Sequence, residues 1–215
     1  MKPIQIGQLA FVLAAAVAVY SFVATARDSE QRRACGALCH LGPSYAAKNR
    51  LAPDFELERV GGGKVKLSDH RGKVVIMNFW SKVCAPCLQE MPALADLASR
   101  LEGDAGVVVI TVSTDESVED VSDTLRSVLG AEPSFLALVD PEAKVVTERY
   151  GTKLYPETWF IDPEGVIRAR FDGVRDWQSP MIVDLAHALR GGPACSIAFE
   201  EGRAVGPGSG LCEDV

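Results

Sequence analysis

A chain of 215 residues that is 47% apolar is long enough to bury the core of one ordinary domain plus appendages, so it needs no metal or covalent staple to be stable. With 29 acidic against 22 basic residues the formal charge is −7, and no cluster of lysine and arginine stands out. Phosphate binding relies on such clusters, which excludes nucleic acid as a partner.

An apolar segment opens the chain. No charged side chain lies between Pro3 and Ala26, and Leu9 to Ala24 is almost continuously apolar behind Lys2. Residues 1–26 read as a signal peptide or signal anchor. The length meets the roughly 20 residues of a spanning helix, while Ala24-Thr25-Ala26 has the small-x-small form of a cleavage site. Both forms export the rest of the chain, to the periplasmic side of the inner membrane, either held in the membrane by residues 4–26 or released by cleavage near Ala26. The anchor is slightly favoured, although Arg27, Arg32 and Arg33 outnumber Lys2 and charge counting favours the opposite orientation. A buried soluble helix would need a partner core at the extreme terminus.

Residues 27–50 are polar and small, a linker or short helix that carries Cys35 and Cys39. Alternation around Gly61-Gly62-Gly63 predicts a short hairpin, and Ser68 to Gly72 a turn. Val74 to Trp80 is a near-continuous apolar run, the pattern of a strand buried on both faces. From Pro86, the spacing of Leu88, Met91, Leu94, Leu97 and Leu101 is helical, with Pro92 inside as a kink. Val107–Val112 predicts a second buried strand, Ser117–Leu129 an amphipathic helix ended by Gly130, and Phe135–Val139 a third strand. Ala143–Tyr150 predicts a short helix. Thr158–Ile161 and Val166–Phe171 flank the turn Asp162-Pro163-Glu164-Gly165, and Trp177–Leu189 predicts a closing helix. Strands separated by helices, then a hairpin and a helix, make residues 51–190 a three-layer α/β domain with a central sheet. Residues 191–215 form a Gly/Pro-rich tail with Cys195 and Cys212.

The six cysteines fall into three pairs, which together with the apolar leader indicates an oxidising compartment. Cys84-Ala85-Pro86-Cys87 follows the best central strand and opens a helix. Backbone N–H groups and the positive end of the helix dipole then face Cys84, which stabilises a thiolate below the free-thiol pKa of about 8.5. A zinc site would need four ligands, and no second close pair with suitable spacing stands nearby. Position assigns the roles: Cys84, at the exposed helix start, attacks a substrate disulfide, and Cys87, about one turn further in, resolves the mixed disulfide.

Ala52-Pro53-Asp54-Phe55, Asn78-Phe79-Trp80, the Cys84–Cys87 motif, Glu90-Met91-Pro92 and Tyr155-Pro156-Glu157-Thr158 occur in an order that resembles the thioredoxin-like TlpA/ResA family of exported thiol–disulfide oxidoreductases, which includes the cytochrome c maturation reductases. The likeness covers residues 51–190. It implies a thioredoxin-like fold, with Pro156 as a cis-proline facing the dithiol and the Tyr155 backbone offered to a substrate strand. Glu90 becomes the acid that exchanges the proton of Cys87, against the plainer reading of a solvated helix charge. Trp80, Lys82, Val83 and Tyr155 form the substrate side. Implied partners are protein dithiols and disulfides and a membrane-bound electron donor, with a monomer, no cofactor and no metal. Two features depart from the family. Val83, preceded by Lys82, stands where the family usually has Trp, and Asn78 stands where cytosolic thioredoxins carry a buried Asp.

Cys195 and Cys212 enclose a loop that a structural disulfide would stabilise by roughly 3 kcal/mol; pairing of either with Cys35 or Cys39 is the main competitor. Cys35-Gly36-Ala37-Leu38-Cys39-His40 reads first as cysteines in a disulfide, local or to the tail; it has one residue too many for c-type haem attachment, two thiolates with an imidazole also suit a soft metal, and an accessory redox pair passing electrons to Cys84 is a further alternative. Two rival functions follow. A peroxiredoxin-like peroxidase would require Pro where Met77 stands, with only Ser81 approximating its Thr. A non-catalytic module would bind metal or haem through Cys35, Cys39 and His40.

Overall fold

The computed structural model describes residues 3–41, 51–190, 197–200, 203–206 and 208–212. Helix α1 runs unbroken from Pro3 to Leu41. Its stretch Phe11–Ser29 is long and apolar enough to cross a membrane, and none of it is buried by the protein. Phe11, Tyr20 and Phe22 each keep about three quarters of their surface open. A soluble core helix does not leave so much apolar surface in water, and the buried-helix reading of this segment is overturned.

The sheet follows. Strands β1 (Glu56–Arg59), β2 (Lys64–Lys66), β3 (Val74–Trp80), β4 (Val107–Ser113), β5 (Leu136–Val139), β6 (Glu157–Ile161) and β7 (Ile167–Asp172) pair in the order β2-β1-β5-β4-β3-β6-β7. β3, β4 and β5 are parallel, while β1, β2, β6 and β7 join antiparallel, so the sheet is mixed. Every residue of β3 is buried, as its continuous apolar run requires of a central strand covered on both faces.

Alternate residues of β3 feed two cores. Val74, Ile76 and Trp80 pack with Met91, Leu94 and Leu97 of α2 (Ala85–Leu101), Val121 and Leu125 of α3 (Val118–Leu129) and Leu185 of α4 (Pro180–Leu189). Val75, Met77 and Phe79 pack on the opposite face with Phe55, Leu67, Val145, Val146 and Tyr150. There Phe79, Tyr150 and Trp159 meet edge to face at 5.2 and 5.5 Å. Helices or helical turns thus cover both faces of one sheet, the thioredoxin-like arrangement expected.

Local differences from the sequence pattern are physical. Ser117 caps α3 by accepting from Asp120 N, and Gly130 ends it in the left-handed region at φ 69°. The predicted turn after residue 67 is a 3₁₀ helix, Leu67–His70, and the predicted helix near 143–150 is a π-helical turn, Lys144–Arg149. The closing helix starts at Pro180, so Trp177 precedes it in a loop. After α4, β8 (Ala198–Glu200) and β9 (Arg203–Val205) form a separate hairpin followed by the 3₁₀ turn Ser209–Cys212.

Candidate active site

β3 ends at Trp80, and the chain turns through Ser81–Val83 into α2. The turn is tied down by the buried carboxylate of Asp115, just past β4. Its Oδ1 accepts from Ser81 Oγ at 2.9 Å, and its Oδ2 from the Lys82 backbone N–H at 2.8 Å and Ser113 Oγ at 2.6 Å. A carboxylate with three donors is strongly fixed, and so is the loop entering the dithiol.

Cys84 is the N-cap of α2, with Pro86 in the first turn where its missing N–H leaves nothing unpaired. The Cys87 backbone N–H donates to Cys84 Sγ at 3.2 Å. The two cysteines are joined, S–S 2.04 Å and Cα–Cα 5.3 Å. Cys84 is half-buried and Cys87 has no exposed surface.

Beneath this pair lies a buried polar row. Cross-strand register aligns Thr158 of β6, Asn78 of β3 and Thr111 of β4. Asn78 Nδ2 donates to Thr158 Oγ1 at 2.9 Å and to Glu90 Oε1 at 3.0 Å. Glu90, one turn after Cys87 on α2, is 3% exposed. Its Oε2 accepts from Trp177 Nε1 at 3.0 Å and from the Arg175 backbone N–H at 3.3 Å. Burial pushes the Glu90 carboxyl above the ordinary carboxylate range, against the opposing pull of these donors and the Arg175 charge. The solvated-charge reading of Glu90 does not survive this burial.

Pairing of Phe79 with Glu157 brings the start of β6 beside the end of β3. The Tyr155–Pro156 bond there is cis. Tyr155 is half-buried and, like Cys84, packs on the core beneath α2. Gly173 N donates to Pro156 O at 2.8 Å, drawing the Gly173–Arg175 loop to the same end of the sheet.

The substrate-side residues divide. Val83 is 84% exposed directly before Cys84. Lys82 Nζ is held by Asp120 Oδ1 at 2.8 Å, so its charge is already paired. That hydrogen bond, with nearby acidic charge, raises its pKa. Trp80, expected on the substrate side, is instead fully buried in the α2 core and offers no surface to a partner; it supports the loop from below. Cys35, Cys39 and His40 sit in α1 by backbone, but their side chains lie outside the described residues, as does Cys195. No group of metal-ligating side chains is found among the described residues.

Sequence reasoning missed three participants, Asp115, Trp177 and Arg175, and one buried acid on the opposite face of the sheet, Glu157. Glu157 is 5% exposed, accepts from Thr152 Oγ1 and, at 2.7 Å, from Trp159 Nε1, and is pushed up by burial. An acidic residue inside the apolar run Pro156–Ile161 was its visible signal.

A family model described as AhpC/TSA matches residues 49–170. The chain belongs to the AhpC/TSA family. Within that family it is 34% identical over 121 residues to the thioredoxin-like protein YneN of Bacillus subtilis, covering 56% of this chain and 69% of the relative. It is 33% identical over 126 residues to the thiol–disulfide oxidoreductase ResA of the same organism, covering 59% and 68%. Among solved structures, a thiol:disulfide interchange protein from Bacteroides sp. superposes with TM-score 0.56 at 27% identity, covering 66% of this chain and 91% of that one. The thioredoxin domain of a thiol–disulfide oxidoreductase from Bacteroides vulgatus gives 0.54 at 26%, covering 66% and 95%. This AhpC/TSA protein is thus a ResA-like thiol–disulfide oxidoreductase, and its Cys84–Cys87 pair closes as a disulfide.

Proposed function

We propose that the protein is an exported, membrane-anchored reductase of protein disulfides. The observation that carries the reading is Cys84 at the N-cap of α2, receiving the N–H of Cys87, which itself lies one turn before a buried carboxyl. In the reduced enzyme the same N–H and the helix dipole favour the Cys84 thiolate. That thiolate attacks one sulfur of a substrate disulfide, and the other substrate sulfur leaves as a thiolate that takes a proton. Glu90 accepts the proton of Cys87. The Cys87 thiolate then attacks Cys84 Sγ, releasing the second substrate thiol and closing the Cys84–Cys87 disulfide. Two electrons pass from enzyme to substrate, and the oxidised state described above is the end of that cycle. A membrane-bound dithiol donor resets it.

The cis Pro156 with the Tyr155 backbone, and the exposed Val83, are assigned to the docking of an extended substrate segment. Export rests on the uncovered apolar stretch of α1. Retention as an anchor is supported by the continuation of the same helix to Leu41 and its packing against α4.

The test is disulfide reduction by purified protein. Cys84→Ser abolishes turnover, and Cys87→Ser accumulates a mixed disulfide with substrate that dithiothreitol releases. Unchanged turnover in the Cys84 variant sinks the reading. The AhpC/TSA membership gives the peroxidase its standing as a second reading. Met77 occupies the position where that chemistry would want proline, and rapid peroxide consumption without disulfide reduction would favour it instead.

A further inference from the structure

No described residue of the tail after α4 enters the dithiol site set out above, yet the tail is covalently engaged. Cys212, at the end of the 3₁₀ turn Ser209–Cys212, is disulfide-bonded. The chain has six cysteines, and Cys84 and Cys87 hold one another, so the partner of Cys212 is Cys35, Cys39 or Cys195. The shortest loop points to Cys195. Two features of the backbone point elsewhere.

First, the turn that carries Cys212 packs against α1. No residue of the Phe11–Ser29 stretch is buried, and both cysteines of α1 lie beyond it, on the side that leads into the domain. Second, α1 is helical through Leu41, which puts Cys35 and Cys39 at i and i+4 of a continuous helix. Cβ atoms at that spacing stand about 5–6 Å apart, whereas a disulfide needs about 3.5–4.5 Å. A local Cys35–Cys39 bond would require the helix to unwind. The α1 cysteines are therefore left to bond outside their own turn, and the neighbouring element is the one that ends in Cys212.

We propose that Cys212 is bonded to the Cys35/Cys39 turn of α1, clipping the C-terminal tail to the helix that carries the membrane segment. The bond forms by exchange. The Cys212 thiolate attacks a protein disulfide of the oxidising compartment, one oxidant sulfur leaves as a thiol, and an α1 thiolate then displaces the other. Two thiols of this chain lose two electrons and two protons, and the oxidant becomes a dithiol.

The clip ties the tail to a stalk that also packs against α4, so residues 51–190 lie between two segments that are joined to each other. With about 1.5 Å of rise per residue, the bonded turn sits roughly 10–15 Å along the helix from Ser29. The dithiol domain is thereby held close to the bilayer surface in one orientation, instead of swinging on a tether. The bond itself rests on the exported reading only for where the oxidant is met, and its effect on the domain's place at the bilayer rests on the anchor reading.

Trypsin separates the alternatives, because cleavage after Arg33, Lys48, Arg190 and Arg203 yields 34–48, 191–203 and 204–215 as distinct peptides. Full-length protein in detergent micelles is alkylated with N-ethylmaleimide, digested without reduction and weighed by mass spectrometry. The expected species joins 204–215 to 34–48, alone or with 191–203 also attached through 34–48. A mass for 204–215 joined only to 191–203, or for 34–48 with an internal bond, overturns the proposal. Protein that arrives reduced is re-oxidised with glutathione disulfide and mapped again. Formation of the expected species then supports the clip and counts against export, while its failure to form refutes the clip. The Cys212→Ser variant loses the linked mass and keeps reductase turnover on a soluble substrate.

Discussion

Glu90 sits in a contest between burial, which favours its neutral form, and three hydrogen-bond donors, which favour the anion. Burial is the larger influence, so the folded protein holds the Glu90 proton to higher pH than the unfolded chain does. Between the ordinary carboxylate value and the raised one the native state binds more protons. The contribution of Glu90 to stability is therefore present below the unfolded value and is lost as pH rises through the folded one. In Glu90→Gln this slope disappears. Denaturant midpoints across pH 4 to 8 should show wild type losing ground to the variant as pH rises, with Glu157 common to both. Reductase turnover in the same variant should fall on the order of a hundredfold if the carboxyl moves the Cys87 proton, and the pH–rate profile should lose one limb. A variant with unchanged turnover and profile would leave Glu90 a structural residue only. Asp115 makes a separate prediction. Asp115→Ala strands the Ser81 hydroxyl and the Lys82 N–H, which should cost about 1–3 kcal/mol in urea unfolding and loosen the loop before Cys84. At this scale the sequence showed the cysteines, Glu90 and Pro156, because each stands in a short motif. It hid Trp177 and Arg175, which reach Glu90 across more than eighty positions of chain and have no local pattern.

Among the elements, β3 and α2 were the most legible, since a continuous apolar run and a 3.6-residue period are strong signals. The joint between them defines the site: the last residue of β3 is buried, and the N-cap of α2 is Cys84, the proposed nucleophile. Leu94 anchors α2 to the sheet with no exposed surface. Leu94→Ala should lower stability by about 2–5 kcal/mol through lost burial and a cavity, measured by urea titration. The elements that sequence misplaced are those whose geometry depends on distant partners. The sequence pattern starts the last helix at Trp177, but the Trp177 indole turns to Glu90 and the helix begins at Pro180. The spacing over Ala143–Tyr150 predicts an ordinary short helix, and the wider π turn at Lys144–Arg149 has no signature in residue spacing.

For the whole molecule, the apolar leader was plain from composition, and its extension to Leu41 was not. Residues 27–41 are polar and small, so nothing in their periodicity marks a helix that docks on α4. The anchor reading predicts that the chain stays in the membrane pellet after alkaline carbonate extraction and that its N-terminal peptide is recovered intact. Recovery in the supernatant of a chain beginning near residue 27 would establish cleavage instead. The thioredoxin-like layers were legible because strand and helix patterns alternate cleanly over 51–190. The covalent wiring of the ends was not, since cysteine spacing alone leaves several pairings open.

The closed ion pair of Lys82 with Asp120 leaves the surface before Cys84 to Val83, which is almost fully exposed. A partner docking there gains by releasing water from an apolar side chain and meets no free lysine charge at that edge. Capture of a substrate by the Cys87→Ser protein should then show a negative heat-capacity change and little dependence on added sodium chloride, and it should weaken on cooling.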